Sequence, residues 1–293
     1  MCGDPEGAER HTADHRGYGR QHQRLDQRRG RRLLALAMAS LLLSSCAVRR
    51  LNLPVGAGTP LPDFAQIHQR LTDDCRRVRT FTAELSLAGK AGTERLRGRV
   101  VAGFEAPASM RLEGVAPFGA PAFILVTGPA VAEGRAVLVL PRDGRVLRDV
   151  NADDVLGALT GVSLGPADLH AILTGCVQAA PTAVSGRLYG GGWASIDLDG
   201  GASVFLRSVS NAWQVRAARL RGWQVEYGAW SGSFPRTVIL RAQAPVVVDL
   251  TAQVSQVESN VAIRPDAFIV EASPGAVPIT LDDLRESGPL RQP

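Results

Sequence analysis

Phe81-Thr82-Ala83-Glu84-Leu85-Ser86-Leu87 is the stretch that decides the fold. In an extended chain successive side chains point to opposite faces, so Phe81, Ala83, Leu85 and Leu87 share one face and Thr82, Glu84 and Ser86 the other. That is the pattern of a strand with one side in a core and one in water. Working outward, Glu94 to Phe104 repeats it, with Leu96, Gly98, Val100 and Ala102 set against Arg95, Arg97 and Arg99. Met110 to Val115, Phe123 to Thr127, Ala136 to Leu140 and Arg145 to Arg148 read as further strands. Their connectors hold Ala106-Pro107, Ala116-Pro117-Phe118-Gly119, Gly128-Pro129 and Asp143-Gly144. Connectors this short, rich in turn residues, join antiparallel neighbours.

Helical spacing interrupts the strands twice. Before them, Asp63 is placed to cap a helix in which Phe64, Ile67, Leu71, Cys75 and Val78 recur on one side. After Arg148, Asn151 is placed to cap a helix running to Thr160, with Asp153 and Asp154 in its positive first turn and Gly161 after its end. Pro166 to Leu173 predicts a second short helix closed by Gly175. Strand patterns then resume at Ser185–Tyr189, 194–198, 203–206, 214–220 and 224–227, with Gly190-Gly191-Gly192 as a turn. Residues 236–242 and 246–254 are long enough for central strands, 262–270 predicts one more, and Leu281-Asp282-Asp283-Leu284 a brief helical turn. The fold class expected is mainly β (α+β): a strongly curved antiparallel sheet whose concave face is covered by the first helix and the inserted helix pair. Such a layout leaves an apolar cavity between helices and sheet, the usual setting for an acyl chain. The same residues could equally fill their own core.

The N-terminal part reads as an address. Arg28, Arg29, Arg31 and Arg32 precede a largely apolar run from Leu33 to Leu43, eleven residues long with Ser40 as its one polar member. That is a signal peptide, since a spanning helix needs about 20 apolar residues. Leu43-Ser44-Ser45-Cys46 resembles the bacterial lipobox, which makes Cys46 the expected lipidation site and outer-membrane anchor. The organisation expected is a leader over 1–45, a lipidated tether over 46–62, a domain over 63–272 and a tail over 273–293. The tether holds Asn52, Pro54, Gly56, Gly58, Pro60 and Pro62, which break regular structure. Of 33 basic and 28 acidic residues, eight Arg and five acids lie in the leader, leaving 25 against 23. The pI near 9.5 therefore owes much to a removable segment and is no nucleic-acid footprint. Beyond the leader and Cys46 only Cys75 and Cys176 remain. In an oxidising compartment two such cysteines pair, or else stay as separate buried thiols.

Catalytic constellations are missing. Outside the leader the histidines are His68 and His170, about a hundred residues apart and in no metal-ligand spacing. Both read as helix-surface residues. Gly190 to Gly192 lacks the Lys-Ser/Thr of a phosphate loop, and Gly228-Ala229-Trp230-Ser231-Gly232 has its serine misplaced for a nucleophile elbow. No enzyme activity, cofactor, metal site or nucleic-acid partner is expected, and the chain is read as a monomer.

Three stretches carry a family resemblance. Val150 to Leu164 followed by Leu169 to Gly175, the Ala116-Pro117-Phe118-Gly119 loop, and Trp223-Gln224-Val225-Glu226-Tyr227-Gly228 followed by Phe234-Pro235-Arg236 resemble the outer-membrane lipoprotein receptors of the LolB family, within the LolA-like lipoprotein-carrier superfamily. The resemblance covers roughly residues 46–255. It implies an unclosed half-barrel with a helical lid, and a periplasm-facing receptor that takes lipoproteins from a LolA-like carrier into the outer membrane. It also implies that Pro117, Phe118 and Gly119 form a membrane-insertion loop, with Phe where the family carries Leu. Phe118 either protrudes into lipid or folds back as core. Candidate acyl-cavity residues are Leu85, Leu87, Leu112, Ile124, Val126, Leu138 and Leu140 on the sheet, and Leu156, Leu159, Leu169 and Ile172 on the helices. The second reading is a non-transport envelope lipoprotein of the same fold that holds a protein partner or a glycolipid.

Overall fold

The alternation of polar and apolar residues becomes one long sheet in the computed structural model, which describes residues 51–291 apart from 178 and 180. The expected signal peptide and the lipidation site Cys46 lie outside the described residues. The chain begins with β1 (Thr59–Pro60) and α1 (Phe64–Arg76), then lays down β2 (Thr80–Ala91), β3 (Glu94–Glu105), β4 (Ser109–Val115), β5 (Phe123–Thr127), β6 (Arg135–Leu140) and β7 (Arg145–Asn151). The helix pair is α2 (Ala152–Thr160) and α3 (Pro166–Thr174). Strands β8 (Ala183–Tyr189), β9 (Trp193–Leu198), β10 (Ser203–Val209), β11 (Ala212–Leu220) and β12 (Trp223–Tyr227) follow. A small hairpin, β13 (Trp230–Ser231) with β14 (Phe234–Pro235), precedes β15 (Thr237–Ala242) and β16 (Val248–Ser259). The chain closes with β17 (Val277–Pro278) and α4 (Leu281–Glu286).

Fifteen strands pair in the order β1-β8-β9-β10-β11-β12-β15-β16-β2-β3-β4-β5-β6-β7-β17. Every pairing is antiparallel except β17 on β7. The two ends, β1 and β17, do not meet, so the curved sheet is not closed into a barrel. Both end strands are two residues long and each contains a proline, Pro60 or Pro278.

Register fixes which residues face inward. Leu85 opposes Val100 and Val254, and Leu250 opposes Leu240, all within the main core. Their neighbours Glu84, Arg99 and Ser255 face the other way, as the alternation requires. The helices lie on the inner face: α1 packs against β8, and α2 and α3 bury Val155, Leu156, Leu159, Ile172 and Leu173. A Cβ on Gly186 would stand 2.3 Å from the Phe64 Cβ, so a glycine is what lets α1 approach this closely. Gly161 ends α2 in the left-handed conformation, φ 82°, and donates its N–H to the Gly157 carbonyl.

Several expectations meet corrections. Asp63 and Asn151 hold the N-cap positions expected of them, but neither makes the capping bond through its side chain; the Asn151 amide turns to Asp154 instead, at 3.2 Å. Residues 262–270 form no strand: Pro265–Phe268 is a single 3₁₀ turn, and the segment runs over the convex face, where Arg111 donates to the carbonyls of Ala267 and Ile269. The tether is not wholly free. Leu61 is buried, Thr59–Pro60 pairs with β8, and the Leu51 N–H donates to Glu226 at 3.1 Å. Nor is the C-terminal segment a tail, because Leu284 and Leu290 are buried in the main core.

Cys75 and Cys176 form a disulfide with Cα atoms 5.6 Å apart, tying the end of α1 to the end of α3. No helix of the described residues is long and apolar enough to cross a membrane.

Candidate acyl-binding cavity

Between the helix pair and the sheet lies a cavity of about 90 Å³. Leu85, Leu87 and Leu112 line it from the sheet, and Leu156, Leu159, Leu169 and Ile172 from the helices. Its one polar side chain is Thr160, whose hydroxyl is turned away to donate to the Leu156 carbonyl at 2.8 Å. The wall therefore offers dispersion and nothing else, which suits a hydrocarbon and no polar ligand.

Four expected residues do not reach it. Leu138 and Leu140 face inward but belong to the solid core beyond the cavity. Ile124 and Val126 point to the convex face, since they pair with Val139 and Val137, which pack with Val146 under Val270, Ala272 and Ala276. The physical reason is plain. Strands β5 and β6 are covered on both faces, so they read as continuous apolar runs and carry no parity signal.

The sequence also missed part of the wall. Val238 and Leu240 of β15, with Leu250 and Ala252 of β16, line the cavity from the second half of the sheet. Residues 248–254 alternate clearly, so this side was available to a parity argument. Leu290 was not. The C-terminal segment leaves the convex face, pairs as β17 beside β7, and sends α4 against α2. The Arg97 N–H then donates to the Leu290 carbonyl at 2.9 Å, and Leu96 bridges Arg291. Leu290, 5% exposed, is thereby set into the cavity wall. A Cβ on Gly98 would lie 2.7 Å from its Cδ2, so the plug sits directly on the sheet backbone.

Two ends of the sheet differ. One rim collects the turns at 92–93, 116–122, 141–144, 221–222 and 243–247, together with the α2–α3 turn at Gly161 beside Ala91. Phe118 stands on this rim, 84% exposed. A further pocket of about 530 Å³ opens there among Gly92, Gly161, Arg221 and Arg291. The opposite rim holds hollows of about 790 and 510 Å³ around the disulfide. Those are lined by Asp74, Arg77, Arg79 and Asp168 as well as by apolar groups, so they lack the uniform wall of the central cavity.

His170 is not the surface residue its sequence context suggested. Its ring lies 5.5 Å from that of Phe104 and 6.2 Å from that of Phe81, and burial lowers its pKa below the ordinary 6.5. On the convex face Glu226, 3% exposed, accepts from Arg241, from Gln224 at 3.0 Å and from the Leu51 N–H. Among the described residues no group of three or more His, Cys, Asp or Glu is placed to hold a metal ion.

No family model matches the chain, and no curated protein matches it. Among solved structures it is similar to a DUF1329 family protein from Desulfovibrio piger, at 10% identity over 72% of this chain and 98% of that one, with a TM-score of 0.49. It is similar also to a LolA superfamily protein from Nitrosomonas europaea, at 10% identity over 69% of this chain and 97% of that one, with a TM-score of 0.48. At these scores the likeness is one of general outline, and the functional reading rests on this chain's own residues.

Proposed function

We propose that this protein is a lipid-anchored envelope protein that accepts acyl chains of lipidated proteins beneath its helix pair and passes them to the outer membrane. The observation that carries the reading is the aliphatic cavity between helices and sheet, with a protruding Phe118 on one rim of that sheet. Cys46 would hold the domain at the membrane, and a LolA-like carrier would deliver the cargo. No bond is made or broken. Transfer follows from the relative affinities of carrier, cavity and bilayer for the same chain.

The cavity is smaller than a ligand pocket, which takes roughly 300 Å³ or more. Loading therefore requires it to widen, by displacement of Leu290 or of the helix pair. Phe118 supplies the other half of the transfer, because an apolar side chain gains about 1.5–3 kcal/mol on leaving water. The test is displacement of a fluorescent acyl probe, followed by lipoprotein transfer to vesicles. Saturable probe binding and slowed transfer by Phe118→Glu are expected. Absence of both binding and transfer, or full transfer by Phe118→Glu, defeats the reading.

The small volume also favours a second reading, in which the core stays filled and the domain holds a protein partner. A probe that never enters, combined with capture of one periplasmic protein on the intact chain, selects it.

A further inference from the structure

We infer that the rim carrying Phe118 is laid on an anionic lipid surface through a basic strip of Lys90, Arg95 and Arg97, flanked by a second apolar turn at Val246-Val247. This deepens the proposed function and rests on its reading of a membrane-anchored domain. Lys90, the chain's single lysine, stands directly opposite Arg95 across the β2–β3 pair and opposite Asp249, itself held by Arg241 at 3.3 Å, across the β16–β2 pair; Arg97 follows on the same convex face. All three are exposed, and none makes an ion pair among the described residues. Like charges set opposite one another across two strands repel. An anionic counterpart would turn that repulsion into attraction.

The strip is not isolated. The Gly92 N–H donates to the Val247 carbonyl at 2.8 Å, which clamps the β15–β16 turn against the β2–β3 turn. Val246 and Val247 thus stand beside the basic residues, 38% and 58% exposed. Phe118 projects from the same rim on the β4 side. Exposed valines scattered singly mean little. Apolar tips bracketing unpaired cations are different: they match the acyl boundary and the phosphate layer of one bilayer face. Leu290, in the wall of the aliphatic cavity, is bonded through its carbonyl to the N–H of Arg97 in this strip, and Arg221 lies in the pocket on the same rim. A chain released there would enter lipid without crossing water.

The test uses the lipidated protein in vesicles of phosphatidylcholine with one quarter phosphatidylglycerol, their acyl chains brominated. An environment-sensitive fluorophore is placed on Val246→Cys, or on Val209→Cys at the opposite rim, where the side chain is 43% exposed. The disulfide occupies Cys75 and Cys176, so the new thiol is labelled selectively. Bromine quenching at least threefold stronger at position 246 than at 209 is expected. Lys90→Glu/Arg95→Glu/Arg97→Glu should bring position 246 down to the level of 209, as should raising salt to about 1 M, where screening acts within ~3 Å. Equal quenching at both rims, or a triple variant that quenches like the parent, overturns the inference. Acyl-probe binding by the triple variant reports that the domain is folded. Loss of probe binding in the parent with rim-selective quenching intact would sink the cavity reading alone.

Discussion

Leu290→Ala tests whether the C-terminal segment is a plug or merely core. The leucine is 5% exposed, lines the aliphatic cavity and rests against Gly98. Truncation removes three carbons, worth about 0.8 kcal/mol each, or ~2.4 kcal/mol in lost burial. Leu→Ala changes in cores cost about 2–5 kcal/mol, the upper values arising where the hole cannot collapse. Here the side chain adjoins an existing cavity of about 90 Å³, so neighbouring groups have room to relax into the hole. The low end, ~2–3 kcal/mol, is therefore expected in urea unfolding monitored by tryptophan fluorescence. The plug adds a second expectation. Widening the cavity should raise acyl-probe affinity, and the Arg97 amide, which donates to the Leu290 carbonyl, should lose protection against hydrogen exchange. A full loss of stability with unchanged probe affinity and unchanged Arg97 exchange would refute the plug and leave Leu290 as ordinary packing.

The disulfide spans 101 residues, so Cys75→Ala/Cys176→Ala should lower stability by about 3–5 kcal/mol in denaturant titrations, as closing a loop of that size predicts. His170 should make the fold acid-sensitive. Because burial depresses its folded pKa, the unfolded chain takes up a proton first as pH falls below about 6.5. That contribution to stability is full above this pH and declines below it, and the decline should be smaller in His170→Leu when melting is followed from pH 7.5 to 5. Glu226→Ala removes the acceptor shared by Arg241, Gln224 and Leu51 while Arg241 keeps Asp249 at 3.3 Å. A cost of about 2–3 kcal/mol, below that of fully orphaning a buried charge, should come with faster proteolysis between residues 51 and 57; unchanged cleavage would mean that Glu226 does not hold this segment.

Most of the strands were readable because a one-sided sheet writes its burial into the sequence at period two. Residues 81–87 and 94–104 sit within observed strands for that reason. Where both faces are covered the signal vanishes, and Ile124 and Val126 were placed on the wrong side accordingly. The apolar residues of 262–270 looked like a strand because they serve a packing role, covering the back of β4 to β6, without pairing. Helix ends were located by Gly161 and Gly175, whose backbone need is local, and the N-cap positions Asp63 and Asn151 were found too, although neither side chain makes the capping bond. Of the cavity wall, the helix leucines and half of the sheet were recoverable. Leu290 was not, since nothing local in Gly288-Pro289-Leu290 says that it returns to a strand almost two hundred residues earlier.

The two ends of the sheet have a consequence for life at high concentration. An open sheet offers free N–H and C=O groups along its borders, and such borders invite a second molecule to add its own strand. Here each border ends in a two-residue strand, Thr59–Pro60 on one side and Val277–Pro278 on the other. Proline brings no N–H, and two residues are too few to template a partner. The sheet can thus stay unclosed, with its concave side available, while its edges refuse to polymerise.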